Sequence, residues 1–367
     1  MHILHIDTGT SWRGGQNQVR LLLKGLSSHG IHSTLVIPDT AGHKDRFSNC
    51  DQISLRMNGI SQFWAAQSLN RLCSEKKIQL IHAHSSKAHN IAMIMKLSGS
   101  RLPLVVHRRV MFPYSKNFIS GYKYSSNVVS QFVAVSEAIR NYMIREGTSE
   151  SQISVIHSSK EQETPATSEQ KQTASAAIKK SLNLPDTALI AGFCGALTQE
   201  KGCKTLIQCI PSLPSFLSHL HFVIAGSGDQ EPELKSMIRN PGLSKRVHFL
   251  GFLDDTTQFL RSLDLLVFPS LSEGLGTTLL EAAYQRCPVI ASDTGGIPEI
   301  IKHQKTGLLV APGDDTHLKE AMITLCEEPQ LREDYAGNLL DHVRTGFSPE
   351  TMTSGHHQLY QKLLGIN

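Results

Sequence analysis

Two glutamates eight positions apart, Glu273 and Glu281, flank the run Gly274-Leu275-Gly276-Thr277-Thr278. Glycine allows unusual backbone angles and close approach, and a helix opening just beyond it leaves its first N–H groups without intrahelical partners. Such a helix start suits an anion, for example a diphosphate. The pattern predicts a helix over 278–285, which places Glu281 one turn along it. From there its carboxylate can accept two hydrogen bonds from a vicinal diol such as a ribose, while Glu273, on the preceding loop, is placed for the hydroxyls of a second ring.

Gly226-Ser227-Gly228 follows a predicted strand at 221–225, yet a third glycine is missing and no acidic residue ends the next strand at 247–250. A nicotinamide-dependent dehydrogenase is therefore not expected. Arg108 and Arg109, with Phe112, Tyr114, Lys116, Phe118, Tyr122, Lys123 and Tyr124, form a basic and aromatic stretch. It suits the surface of an anionic membrane or a phosphorylated acceptor. No helix-turn-helix, RNA-recognition motif or zinc finger accompanies it, so nucleic acid is not an expected partner.

These residues need elements to hold them. At 367 residues, with 40% hydrophobic and 19% charged side chains, the chain is expected to form two packed units rather than one. Strands are predicted at 2–6, 33–37, 80–83, 104–106, 131–135 and 153–156, with helical periodicity at 18–28, 89–97 and 137–146. The rhythm restarts with strands at 189–193, 221–225, 247–250, 265–268, 289–291 and 307–310. Strands alternating with helices point to an α/β class with two doubly wound, Rossmann-like parallel sheets facing across a cleft.

The expected organisation is a first unit at 1–165, a linker at 166–185 and a second unit at 186–347. The linker reading rests on the stretch 158–177, which is rich in Ser, Thr, Glu, Gln and Lys with almost no large apolar residue. Ser348-Pro349-Glu350 signals a final helix over 348–367, expected to return to the first unit. Residues 1–170 carry 19 Lys and Arg against 11 Asp and Glu, whereas 171–367 carry 17 against 21. A basic first half attracts anionic partners. Cysteines 50, 73, 194, 203, 209, 287 and 326 are scattered without a Cys-x-x-Cys pair, so neither disulfides nor a zinc site is expected from them. With no basic leader and no apolar run of membrane-spanning length, a cytoplasmic protein is expected.

The frame from Glu273 to Ala282, followed by Pro288-Val289-Ile290-Ala291-Ser292-Asp293-Thr294-Gly295-Gly296-Ile297-Pro298-Glu299-Ile300-Ile301 and by Gly307-Leu308-Leu309-Val310, closely resembles glycosyltransferase family 4, retaining enzymes of the GT-B fold. The resemblance covers nearly the whole chain and is weakest at 158–185. It implies that Lys201, in the run from Gly192 to Gly202, neutralises a donor diphosphate, while the arginine that the family usually carries nearby is replaced here by Ala196. It further implies a donor site lined by Gly195, Gly226, Gly228, Gly274, Leu275, Gly276, Thr277, Thr278 and Glu281. Residues 8–15 resemble the family's glycine loop, with Gly14 and Gly15 beside the transferred sugar or acceptor and Arg13 on an anionic group.

His107, Glu273 and Lys201 are the implied catalytic set, His107 standing beside the transferred sugar. His82 and His84, at the end of the predicted strand 80–83, point into the same region, with a merely structural role open for both. Arg13, His84, Arg108, Arg109 and Lys116 are the expected acceptor or membrane contacts. The implied reaction moves a sugar from a UDP- or GDP-sugar to a hydroxyl of a glycan or lipid-linked glycan, such as lipopolysaccharide core, with retention and without a metal or cofactor. The implied setting is the cytoplasmic face of the inner membrane. The alternatives are a nucleotide-sugar epimerase and a non-catalytic sugar- or lipid-binding protein, the latter favoured by Ala196.

Overall fold

The computed structural model describes residues 1–12, 14–114, 121, 123–124 and 127–366. The chain divides into a first unit, Met1–Glu161 with Ser348–Asn367, and a second unit, Gln162–Phe347.

Seven parallel strands form the first sheet: β1 (His2–Ile6), β2 (His32–Pro38), β3 (Asp51–Leu55), β4 (Leu80–Ala83), β5 (Leu104–Arg108), β6 (Gln131–Ala134) and β7 (Ile153–Val155). Their spatial order is β3-β2-β1-β4-β5-β6-β7. The second sheet holds β8 (Leu189–Cys194), β9 (Leu220–Ala225), β10 (Val247–Gly251), β11 (Leu265–Phe268), β12 (Val289–Ser292) and β13 (Leu308–Val310) in the order β10-β9-β8-β11-β12-β13. Helices cover both faces of such sheets, so the central strands read as nearly continuous apolar runs. Winding reverses between β1 and β4 in one sheet and between β8 and β11 in the other, and ligands of this architecture gather beyond the strand ends at that point.

Two elements of the first unit are absent from the expected set. β3 is the edge strand, and its side chains alternate between half-buried and exposed, so Asp51–Leu55 shows no apolar run. The helix Ser61–Glu75 buries only Ala65, Ala66, Leu69 and Cys73 and leaves Phe63 and Trp64 in solvent, which blurs its periodicity.

The expected linker at 166–185 is corrected. Ser168–Ser181 is a helix of the second unit, started by a capping box in which Thr167 and Gln170 satisfy each other's backbone N–H groups. Only Ala174 is buried, and the helix packs on the helix Thr257–Ser262. Small residues need little core, which is why composition alone reads as a linker.

The last helix, Pro349–Leu364, is capped by Ser348 Oγ, which accepts from the Thr351 N–H at 3.1 Å, and it ends at a left-handed Gly365. Its Met352, Leu359 and Tyr360 complete a core with Ile3, Leu21, Leu22, Leu80, Val105 and Val133. It lies so close to the helix Gly14–Ser28 that a Cβ on Gly25 would stand 2.0 Å from Thr353 Oγ1. Gln18 and the Ser159 backbone exchange two buried hydrogen bonds of 2.7 and 2.8 Å, which tie that helix to the end of the first chain segment. Leu359→Ala is expected to destabilise the first unit by about 2–5 kcal/mol, the usual cost of emptying a buried leucine site. Urea unfolding followed by circular dichroism measures it.

Candidate functional site

In the second unit the site residues sit on loops that leave adjacent strands. β8 and β11 pair directly, Leu265 with Ala191 and Leu266 with Gly192, so the loops that follow them share the switch point. The 199–201 turn after β8 is bound to the loop after β11 through its backbone. The N–H groups of Leu271 and Ser272 both donate to the Glu200 carbonyl, at 2.8 and 3.3 Å. Gly202 then takes a left-handed conformation, φ 65°, with the Pro269 carbonyl oxygen 1.9 Å from where a Cβ would be. No other residue fits that crossing without moving it.

The crossing delivers Lys201 to Glu273. The ammonium donates to Glu273 Oε2, while Glu273 Oε1 accepts from the Gly274 N–H at 3.1 Å. The Glu273 side chain is 12% exposed and that of Lys201 27%, so solvent screens this pair less than a surface pair. Phe268 closes one side, its ring centre 5.8 Å from the ammonium. A diphosphate arriving here would share a cation that Glu273 already holds in place.

Beyond the glutamate, Gly276 at φ 93° begins the helix Thr277–Tyr284, and no side chain caps that start. Leu275 is buried, while Thr277 and Thr278 are half-buried. Farther along the helix, Glu281 Oε2 accepts from the Thr256 hydroxyl at 2.8 Å. Thr256 is therefore a site residue that the sequence reading misses. Its only signal is its position after β10, because a lone threonine in a polar turn has no distinguishing pattern.

Gly195, Gly226 and Gly228 come together, but chiefly with each other's loops. A Cβ on Gly226 would lie 1.8 Å from the Gly195 carbonyl oxygen, and one on Gly228 2.3 Å from that of Leu197. Gly195 N–H donates to Ala225 and Leu197 N–H to Ser227. At Gly226 and Gly228 glycine is thus required by the packing of the two loops; Gly195 itself has room for a side chain.

In the first unit, Gly14 is exposed and opens the helix Gly14–Ser28, and Gly15 has open space around its Cα. Arg13 and Lys116 lie outside the described residues, as do Phe118 and Tyr122. Arg108, expected as an acceptor or membrane contact, is buried. Its guanidinium is 3.5 Å from the half-buried Phe112 ring's centre and donates to Tyr124 Oη at 2.9 Å and to the Phe112 carbonyl at 3.1 Å. Tyr114, Lys123 and Tyr124 are buried too, and burial pulls the Lys123 ammonium down to about 8. Aromatic faces beside the Arg108 and Lys123 cations accompany the burial of these residues.

Arg109 likewise turns to the protein, donating to the His84 carbonyl at 2.6 Å. Burial lowers it to about 10, against the pull of Asp7, which leaves it charged at neutral pH. His84 is buried and stands in a chain of contacts, with Arg109 Nη2 3.5 Å from His84 Nδ1, His84 Nε2 3.0 Å from His5 Nδ1, and His5 Nε2 3.4 Å from Ser33 Oγ. His107, on β5, is also buried, and neither of its ring nitrogens has a hydrogen-bond partner among the described residues. Burial holds His82, His84 and His107 well below the ordinary histidine range, so they are neutral at pH 7.

Two doubly wound parallel sheets define an α/β protein with two Rossmann-like units. Residues 12–159 match the description Glycosyltransferase Family 4, and residues 174–339 match Glycosyl transferases group 1. The chain belongs to this glycosyltransferase family. It is 34% identical over 189 residues to a lipopolysaccharide core biosynthesis mannosyltransferase, LpcC, of Rhizobium leguminosarum bv. viciae, a stretch covering 50% of this chain and 53% of that protein. It is 32% identical over 167 residues to an alpha-D-kanosaminyltransferase of Streptomyces kanamyceticus, covering 44% and 42%. The chain spans about half the length of the curated relatives it matches. The crystal structure of Anabaena HepE in complex with UDP and glucose superposes with a TM-score of 0.84 at 20% identity, covering 98% of this chain and 99% of that one, and establishes the GT-B fold.

Gly202→Ala tests the crossing that positions Lys201. A left-handed non-glycine residue costs roughly 1–2 kcal/mol, and the contact with the Pro269 carbonyl adds to it. The expected result is a lower urea midpoint for the second unit with an unchanged first unit.

Proposed function

We propose that the protein is a retaining glycosyltransferase that moves a sugar from a nucleotide-diphosphate sugar to an acceptor hydroxyl. The observation that carries this reading is the Lys201 ammonium, held by Glu273 beside an uncapped helix start at the second sheet's switch point. Cleavage of the anomeric C–O bond builds negative charge on the departing diphosphate. Lys201 and the amides near Gly276 and Thr277 would meet that charge where it grows. Glu281, steadied by Thr256, would receive the ribose diol, and Glu273 the hydroxyls of the transferred sugar.

The leaving phosphate would take the acceptor's proton on the same face, which accounts for retention without a second carboxylate acting as nucleophile. No metal or cofactor takes part in this scheme. UDP in the HepE complex supports a uridine donor, and the lipopolysaccharide core assignment of LpcC supports a cell-envelope glycan acceptor. The anionic membrane contact belongs to the same reading. Its support is the exposed Ile60, Phe63 and Trp64 rather than the arginines, and among the described residues no helix is long and apolar enough to cross a membrane.

The test is thermal stabilisation by UDP, GDP and ADP, followed by turnover with the matching sugar donors, because a ligand of the folded state raises its melting temperature. Glu281→Ala is expected to weaken nucleotide binding by about 1.5–3 kcal/mol per hydrogen bond lost to the charged group. No stabilisation by any nucleotide diphosphate would falsify the proposal, and binding without turnover would favour the non-catalytic reading. Release of an epimerised sugar without acceptor would favour the epimerase.

Ala196 is exposed at the position where the family carries arginine. Ala196→Arg adds a second cation, and we expect a lower donor KM with kcat unchanged or raised. A KM that stays the same would show that Lys201 alone already meets the diphosphate charge.

A further inference from the structure

The first unit gathers five buried histidines, His5, His82, His84, His107 and His356, where β1, β4 and β5 end beneath the last helix. Register explains the gathering. His5 pairs with His82 across β1 and β4, and His82 pairs with Val105 across β4 and β5, so His107, two residues beyond Val105, points to the same face as His82. His356 and Tyr360, one turn apart on the helix Pro349–Leu364, cover that face.

The five are not equivalent. His5 and His84 spend their nitrogens on each other, on Ser33 and on Arg109. In contrast, His82 Nε2, His356 Nε2 and both nitrogens of His107 are buried without partners among the described residues. His356 Nδ1 lies 2.8 Å from the Met352 carbonyl and must donate to it, which leaves Nε2 as a bare lone pair. His82 Nδ1 lies 2.6 Å from the Tyr360 hydroxyl. A hydrogen-bond partner on the far nitrogen is the usual way a metal-binding imidazole is fixed in tautomer and direction.

We propose that His82, His107 and His356 form a binding site for a divalent transition metal, zinc foremost, with a fourth coordination position left open. One nitrogen from each lies within 4.8 Å of the other two. Three imidazoles on one zinc ion at about 2.0–2.1 Å stand with ring centres roughly 5–5.5 Å apart. All three ring-centre separations here are 5.5 Å. Binding would draw the three nitrogens closer together, and burial already keeps the rings in the neutral form that binds metal.

Unmet, each of these buried nitrogens has lost its water without gaining a partner, which is destabilising. One ion satisfies three of them at once and pins the last helix to the sheet. Arg109 opposes a dication here and Asp7 offsets Arg109, so the local charge balance does not forbid one. With one His107 nitrogen on the metal, its other nitrogen is fixed as an N–H donor. The site lies wholly in the first unit and shares none of Lys201, Glu273 and Glu281, but it includes His107, so its test reads metal content rather than turnover.

The test uses the full chain without an affinity tag, dialysed against zinc and then against metal-free buffer. Elemental analysis is expected to find one zinc per chain, and cobalt(II) in its place is expected to give the visible bands of a low-coordinate nitrogen site. Tyr360→Phe removes the partner of His82 and should weaken binding roughly 10–100-fold while keeping the fold. His356→Leu and His82→Leu should abolish it. Zinc retention unchanged in both leucine variants, or none in the wild-type chain, overturns the proposal. If the leucine variants do not fold, X-ray absorption of the zinc-loaded wild-type protein decides, because fewer than three imidazole nitrogens in the first shell also overturns it.

Discussion

The position of one ammonium organises the second unit. Lys201 has no long-range partner in the sequence, and it reaches Glu273 only because two loops cross with a single glycine between them. The Pro269 carbonyl fills the space that a Cβ on Gly202 would take, and the Glu200 carbonyl receives two N–H groups from the opposite loop. That crossing is possible because β8 and β11 are adjacent, which in turn follows from the reversal of winding in the parallel sheet. The Lys201–Glu273 ion pair is a consequence of that one adjacency.

The first unit is organised by its last helix. Residues far apart in the chain meet there: Gly25 leaves room for Thr353, Tyr360 meets His82, and Met352 and Leu359 join the core around Ile3 and Val105. An apolar stripe alone would dock such a helix in several ways. The buried histidines and the close Gly25 approach select one of them, since an imidazole displaced from its place would leave further polar atoms unpaired. The same arrangement leaves nitrogens of His82, His107 and His356 facing one another.

The glycine-rich run with its two glutamates was legible because the chemistry is local. Gly274 to Thr278 sits between a strand and a helix in sequence as in space, and a helix start needs no distant partner to present its N–H groups. Most strands were legible because parallel strands buried on both faces read as apolar runs. β3 was not, because an edge strand needs to be apolar on only part of its length, and the helix Ser168–Ser181 was not, because alanines and a capping box hold it with little burial. Arg108, Tyr114, Lys123 and Tyr124 show a different limit, since composition does not tell that these residues are buried. Cations beside aromatic rings have the same composition on a membrane-facing surface as in a buried cation–π cluster, and composition carries no information on which side of the chain is solvent.

The sequence by itself therefore determined the α/β class, the two sheets and the identity of the residues at the second sheet's switch point, since each depends on neighbours within a few positions. Tertiary structure decided which of those residues touch. It paired Lys201 with Glu273 and Glu281 with Thr256, turned Arg108 inward, and set His356 over His82 and His107. These outcomes depend on strand register, on the return of the final helix and on space for a single Cβ. Such constraints exist only once the chain has closed on itself.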